Sequence, residues 1–307
     1  MSTKKINNIA AGIDIGSNSI RLLIAEVENN KIKEIIYQEK ATTRLATNID
    51  KTGMLAKEPF DKSIAVLAGF KKAVDKYNVK NIKTVATSAV REAKNGADFI
   101  NAAKNEGINI SIVTGNEEGM LEYLGVCSGF DTGSHPLILD VGGGSSEIIY
   151  MQENNKLHTE SHKIGVVKMA DMFDFKRSDK SVIEKCSAYI NDFFKNVSIP
   201  NNIENFIATA GTATTLAAID MQMTEYDYKK VNGYKISKNR VIEILNQISS
   251  TPYSERLNIK GMDTGREDLI IPGILIILDI LSKTNLNTIT VSDYGLREGA
   301  VVRAASN

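Results

Sequence analysis

Two distant stretches of the chain carry one pattern. Gly12-Ile13-Asp14-Ile15-Gly16-Ser17-Asn18-Ser19 stands near the start, and Leu139-Asp140-Val141-Gly142-Gly143-Gly144-Ser145-Ser146 in the middle. In each, an apolar run carries an Asp, breaks into Gly and Ser, and resumes as Ile20 to Val27 or Ile148 to Met151. The resumed runs lead into matching turns, Glu28-Asn29-Asn30-Lys31-Ile32 and Glu153-Asn154-Asn155-Lys156-Leu157. Further on, Asn81-Ile82 with Val85-Ala86-Thr87-Ser88 is echoed by Asn202-Ile203 with Ile207-Ala208-Thr209-Ala210. A repeated strand, glycine turn and strand implies two similar half-molecules, each offering a loop of phosphate size.

A chain of 307 residues is long for one hydrophobic core and sufficient for two. Lys+Arg and Asp+Glu are both 37, so no global positive field exists to hold nucleic acid. The longest apolar stretch, Leu269 to Leu278, is too short to span a bilayer and contains Pro272. Lys4 and Lys5 lead into Asn7-Asn8 rather than into an apolar leader. Cys127 and Cys186 lie in helical apolar patterns and read as buried free thiols in a reducing compartment. The expectation is a cytoplasmic protein without nucleic-acid or membrane partners.

Helix and strand patterns alternate, which indicates α/β layers. Ile9 to Ile15, Ile20 to Val27 and Ile32 to Gln38 read as a three-strand meander. Next come a helix opened by Pro59, a buried strand Ile82 to Ala86, a helix closed by Gly107, and a strand Ile108 to Val113. A helix from about Glu117 to Ser128 ends this half, and Asp131 to Pro136 is the most linker-like stretch. The second half repeats the plan with strands at Leu137 to Val141, Glu147 to Met151 and near Lys156 to Lys163. A helix over about Ser181 to Val197 places Ile183, Cys186, Ile190, Phe193 and Val197 inward. Phe206 to Thr209 is a strand, Ser237 caps a helix, Pro272 opens a very apolar helix, and Ile289 to Val291 is the last strand. The expected domains are residues 1–130 and 131–295, with a final helix over about 296–307 packing back onto the first.

A glycine turn after a buried strand lets backbone N–H groups approach an anion that side chains would block. Gly142-Gly143-Gly144-Ser145-Ser146 is unusual for a mere hairpin, which seldom needs three glycines, whereas Gly16-Ser17-Asn18 fits a tight turn equally well. Gly211-Thr212-Ala213-Thr214-Thr215 opens a helix and suits either an anion or simple capping. Glu117 and Glu118 begin another helix, where the dipole alone favours acids. No G-x-x-x-x-G-K-[ST] run exists, and no dinucleotide fingerprint opens a βαβ unit.

In order along the chain stand Asp14 to Ser19, Ala86-Thr87-Ser88-Ala89-Val90-Arg91, Thr114-Gly115-Asn116-Glu117-Glu118-Gly119, Asp140 to Glu147, Gly211 to Ala217 and Ser292-Asp293-Tyr294-Gly295-Leu296-Arg297-Glu298-Gly299. Together they resemble the exopolyphosphatase/guanosine pentaphosphate phosphatase family, over essentially the whole chain, in its short two-domain form. The resemblance implies two duplicated ribonuclease-H-like domains of the actin-like ATPase/sugar-kinase superfold, an α/β fold with an interdomain cleft. It makes Glu118 the carboxylate that activates water. Asp140 and Glu147, with Glu118, become the acids of a Mg²⁺ site. Ser17, Asn18, Arg91, Gly143, Gly144, Ser145, Ser146, Gly211, Thr212 and Arg266 become phosphate-binding.

Asp14 is the pseudo-symmetric counterpart of Asp140, while Arg21, Arg44 and Arg297 are weaker cationic candidates. One departure stands out: Gly165-Val166-Val167-Lys168 replaces the family's usual Gly-x-Val-Arg, so a guanidinium fork becomes a point charge. The implied activity is Mg²⁺-dependent hydrolysis of terminal phosphates from inorganic polyphosphate. Hydrolysis of the 5′-phosphate of guanosine pentaphosphate (pppGpp) and a non-catalytic polyphosphate or alarmone sensor stay open beside it. The family often forms homodimers, and the resemblance leaves that assembly open too.

Overall fold

A computed structural model describes residues 8–152, 156–176 and 180–306. Lys4, Lys5 and the Glu153-Asn154-Asn155 part of the second matching turn lie outside the described residues. The chain divides into two units, residues 1–129 with 295–307, and residues 130–294.

In the first unit the meander forms from β1 (Ile9–Ile15), β2 (Ser19–Glu28) and β3 (Lys31–Thr42), followed by β4 (Asn81–Ala86) and β5 (Ile110–Ile112). The sheet order is β3-β2-β1-β4-β5, with β1–β3 antiparallel and β1, β4 and β5 parallel. Two expectations need correction. The last strand spans only three residues instead of Ile108 to Val113, because it pairs solely with Thr84, Val85 and Ala86. Ile82, expected to be buried, lies beyond the end of that pairing and is exposed.

The helix Leu296–Ala305 returns to this unit and seals the sheet: Val301, Val302 and Ala304 cluster with Ala10, Leu23, Ala25 and Val27. Leu296 and Ala300 join Leu121 of the helix Gly115–Gly129 over Val85 and Val113. The two helices cross at glycines. A Cβ on Gly125 would stand 1.8 Å from the Gly295 carbonyl oxygen, and one on Gly299 1.8 Å from that of Leu121. Any side chain at either position would push apart the helix that carries Glu118.

The second unit repeats the order. It contains β6 (Pro136–Val141), β7 (Ser146–Met151), β8 (Leu157–His162), β9 (Asn205–Thr209), β10 (Lys235–Ser237) and β11 (Thr288–Val291). Its sheet runs β10-β11-β9-β6-β7-β8, the order of the first sheet with β10 added at one edge. That strand has no counterpart in the repeat, which is why the repeat did not signal it. Ser237 caps the helix Lys238–Ser250 as expected, its Oγ accepting from the Arg240 N–H at 3.2 Å. The helix Ile270–Ser282 is buried over most of its surface.

In the helix Lys180–Phe194 the inward stripe is Cys186, Ile190 and Phe194. Phe193, expected inward, falls beside the stripe and is exposed, since a spacing of four keeps Phe194 in line. Neither Cys127 nor Cys186 is in a disulfide; Cys186 is buried as expected, whereas Cys127 is only half-buried. Among the described residues no helix is long and apolar enough to cross a membrane.

Candidate active site

The two glycine loops are built alike. In each, Asp is paired across the hairpin with the residue that resumes the next strand: Asp14 with Arg21, and Asp140 with Glu147. Directly paired residues share one face of a sheet. Register therefore lays Thr209, Asp140, Glu147 and Ser161 in one row, and Val85, Asp14, Arg21 and Lys40 in its counterpart.

The chain after the third strand of each meander straps its loop. Val166 N–H donates to Gly142 O at 3.0 Å and Val167 N–H to Gly143 O at 2.8 Å. In the first unit Ala46 N–H donates to Ser17 O at 3.0 Å, and Thr43 and Arg44 N–H donate to Asn18 O. A trans peptide points its N–H opposite to its C=O. The straps thus turn the amides of Gly143 and Gly144, and of Asn18 and Ser19, to the other side. No hydrogen bond among the described residues uses the N–H of Gly143 or Gly144. Such a row of aligned amides is an anion-binding arrangement.

Gly165, which opens the run Gly165-Val166-Val167-Lys168, makes the second strap possible. A Cβ there would meet Gly143 O at 2.5 Å and Gly142 O at 2.7 Å. Lys168 follows on this short helix, Val166–Met172, and is buried. Ser145 and Ser146 are buried as well, and Ser146 Oγ donates to Ile164 O at 2.7 Å, a further tie between loop and strap.

The adjacent glutamates of the first unit part company. Glu117 forms a capping box with Thr114: its Oε2 accepts from the Thr114 N–H at 2.8 Å and hydroxyl at 2.9 Å. Those bonds hold the Glu117 carboxyl below the usual carboxylate range. Glu118, 5% exposed, turns inward, and its Oε2 accepts from Arg91 Nη1 at 3.1 Å. Arg91 Nη1 also donates to Val113 O at 2.6 Å, which fixes the guanidinium to the end of the sheet. Helix-start chemistry accounts for Glu117 alone; the buried, arginine-held carboxylate is Glu118.

Asp14 is buried and accepts from Arg21 Nη2 at 2.9 Å and Nε at 3.2 Å, both on Oδ2. Burial pushes its carboxyl up, with Arg21 pulling the other way. Its Oδ1 is a buried oxygen with no hydrogen bond among the described residues. Arg21, a weak candidate by sequence, thus takes the place that Glu147 occupies in the second copy. The available signal was spacing, since each follows its Asp at the same interval. Ser17 Oγ lies 3.1 Å from Ser88 Oγ. Arg297 is bonded to the neighbouring Glu298, and Arg44 lies in the first strap with φ of 52°.

In the second unit Glu147 Oε1 accepts from Ser161 Oγ at 2.7 Å. Asp140 and Glu147 are both buried. Two buried carboxylates side by side on one sheet face favour a cation between them. Among the described residues no three His, Cys, Asp or Glu side chains gather into a metal cage. Mg²⁺ is commonly held by one or two carboxylates, with water and substrate phosphates completing its shell, so this oxygen pair suits that ion.

Gly211 and Arg266 meet directly. A Cβ on Gly211 would stand 1.5 Å from Arg266 Nη2, so the guanidinium lies across the start of the helix Ala210–Asp220. Ala210 itself holds φ of 63°, a strained value for a residue with a side chain. Thr212 is fully buried beside Gly273, where a Cβ would meet its Oγ1 at 2.1 Å.

A family model described as the Ppx/GppA phosphatase family matches residues 23–307. The chain belongs to the Ppx/GppA phosphatase family. It is 30% identical to the bifunctional 3-dehydroquinate synthase/phosphatase of Fusobacterium nucleatum, over 99% of this chain and 47% of that protein. It therefore spans about half of that relative's length. Against exopolyphosphatase 2 of Mycobacterium tuberculosis the identity is 26%, over 96% and 98% of the two chains. Against the guanosine-5′-triphosphate,3′-diphosphate pyrophosphatase of Aliivibrio fischeri it is 24%, over 97% of this chain and 60% of that protein. The crystal structure of the Aquifex aeolicus Ppx/GppA member superposes with a TM-score of 0.82 at 30% identity, over 96% of both chains. Each unit has the α/β fold of the actin-like ATPase/sugar-kinase superfold that Ppx/GppA proteins share.

Proposed function

We propose that this chain is a Mg²⁺-dependent exopolyphosphatase that releases terminal phosphates from inorganic polyphosphate with water as nucleophile. The reading rests chiefly on Glu118, an acid that Arg91 holds in a buried position. In this reading Glu118 accepts a proton from the attacking water, the water oxygen bonds to the terminal phosphorus, and the bridging P–O bond breaks. Orthophosphate and a chain shortened by one unit leave. The amides of Gly143, Gly144, Ser145 and Ser146 stabilise the charge on the transferred phosphoryl group. Ser17, Asn18, Arg91, Gly211, the Thr212 backbone and Arg266 hold the rest of the polyanion. Asp140 and Glu147 are the acids assigned to Mg²⁺, which when bound would neutralise phosphate charge.

The same groups serve the 5′-phosphate of guanosine pentaphosphate, the compound class in the name of the Aliivibrio relative. Only the leaving group differs. A cytoplasmic location and a homodimer complete the proposal. Phosphate release from polyphosphate and from pppGpp, each with Mg²⁺ and with a chelator, tests it. Faster release from polyphosphate, abolished by chelation, is expected. Faster release from pppGpp replaces the substrate. Binding of either compound without release would make the protein a sensor.

A further inference from the structure

Arg256 is wholly buried, yet it lies in none of the motifs that mark the site. Taking a guanidinium out of water is costly unless its donors are used, and here they tie chain segments together. Nη1 donates to Phe175 O at 2.9 Å and to Glu267 O at 2.7 Å, and Nε donates to Thr251 O at 3.3 Å. The guanidinium also lies 5.8 Å from the centre of the Tyr253 ring.

The two segments on Nη1 are those that carry the anion-facing groups of the second unit. Phe175 follows the helix Val166–Met172, whose first turn straps the triple-glycine loop and which holds Lys168. Glu267 adjoins Arg266, whose guanidinium lies across Gly211, and Arg266 O accepts from the Ile270 N–H that opens the next helix. One nitrogen therefore sets the separation of the two segments that hold the glycine-loop strap and the arginine.

We propose that Arg256 is a positioning residue for phosphate binding. By bridging Phe175 O and Glu267 O it keeps the strapped amides of Gly143 and Gly144 in register with Arg266, so that both grip one polyanion. This rests on the function proposed above, and it concerns affinity rather than the chemical step. Lysine at this place keeps a charge and donors on one nitrogen, but it loses the Nε bond to Thr251 O that holds the guanidinium plane and so fixes the bridging nitrogen in place.

The test compares Arg256→Lys with Ile190→Ala, a core truncation on the helix Lys180–Phe194 of the same unit. Thermal midpoints are measured first, then KM and kcat well below both midpoints. Arg256→Lys is expected to raise KM about tenfold, with kcat within about twofold of the parent. Ile190→Ala is expected to lower the midpoint and leave KM unchanged. Equal KM in the two variants, or a loss confined to kcat, overturns the proposal.

Amide exchange of the unaltered protein gives a second reading that no folding defect can obscure, with inorganic triphosphate and Mg²⁺ as the probe. Residues 173–176 and 263–269 are expected to gain protection together, and protection of one segment without the other overturns the coupling. Triphosphate binding without phosphate release from any substrate would sink the proposed hydrolase function, while leaving this exchange test to decide on Arg256.

Discussion

Gly165→Ala puts the strap over the triple-glycine loop to a direct test. Gly165 has φ −154° and ψ 168°, an extended conformation open to alanine, so backbone strain plays no part. The added methyl would instead meet Gly143 O at 2.5 Å and Gly142 O at 2.7 Å, while ordinary contacts begin near 3.4 Å. Loop and strap must separate by roughly 0.7–0.9 Å, the shortfall against normal carbon–oxygen contact. The Val166–Gly142 and Val167–Gly143 hydrogen bonds, 3.0 and 2.8 Å long, then stretch past bonding distance. Two buried bonds lost at about 1–2.5 kcal/mol each predict a destabilisation of about 2–5 kcal/mol.

On the proposed function, amides that lose their orientation no longer stabilise the transferred phosphoryl group, so kcat should fall about 100-fold or more. Urea unfolding and phosphate-release kinetics measure the two effects. Gly69→Ala is the control, since nothing lies within 4 Å of its missing Cβ on the helix Lys57–Lys76. It should stabilise the protein by about 0.5–1 kcal/mol without touching turnover. Parental stability and turnover in Gly165→Ala would refute the strap as the device that aims the loop.

Glu118→Gln should keep the fold and polyphosphate binding while turnover falls about 100-fold or more, and parental turnover would remove Glu118 from the chemistry. Gly211→Ala should displace the buried Arg266 guanidinium, since its methyl would lie 1.5 Å from Nη2 and 1.9 Å from Cζ. Its KM should rise by about tenfold with a change in unfolding free energy under about 1.5 kcal/mol, whereas an unchanged KM would exclude Arg266 from binding. Burial holds the His162 imidazole below its ordinary pKa, against the opposing pull of Glu160. The unfolded chain therefore takes up this proton first, near pH 6.5, and stability present above that pH is lost as acidification continues toward the folded value. His162→Phe should flatten that part of the stability–pH curve measured by urea unfolding, and an unaltered slope would assign it to other groups.

Much of the architecture was legible in the sequence because the signals are local or repeated. Strand alternation, Gly-Ser turns and the Ser237 cap each act within a few residues, and duplication of the Asp–glycine turn fixed that two sheets of one plan would form. Tertiary structure alone decided which groups meet. Glu117 and Glu118 are equivalent by helix propensity; their roles separated only when Thr114 took one and Arg91, distant in sequence, met the other. Arg21 and Glu147 occupy matching registers but give their Asp partners opposite company, a difference that no periodicity encodes. The fit of Gly165 under Gly143, of Gly211 under Arg266, and of Arg256 between two carbonyls likewise arises from close packing of segments far apart in the chain. Pattern sets which backbone forms and which face turns inward; only the packed chain brings a particular donor within reach of a particular acceptor.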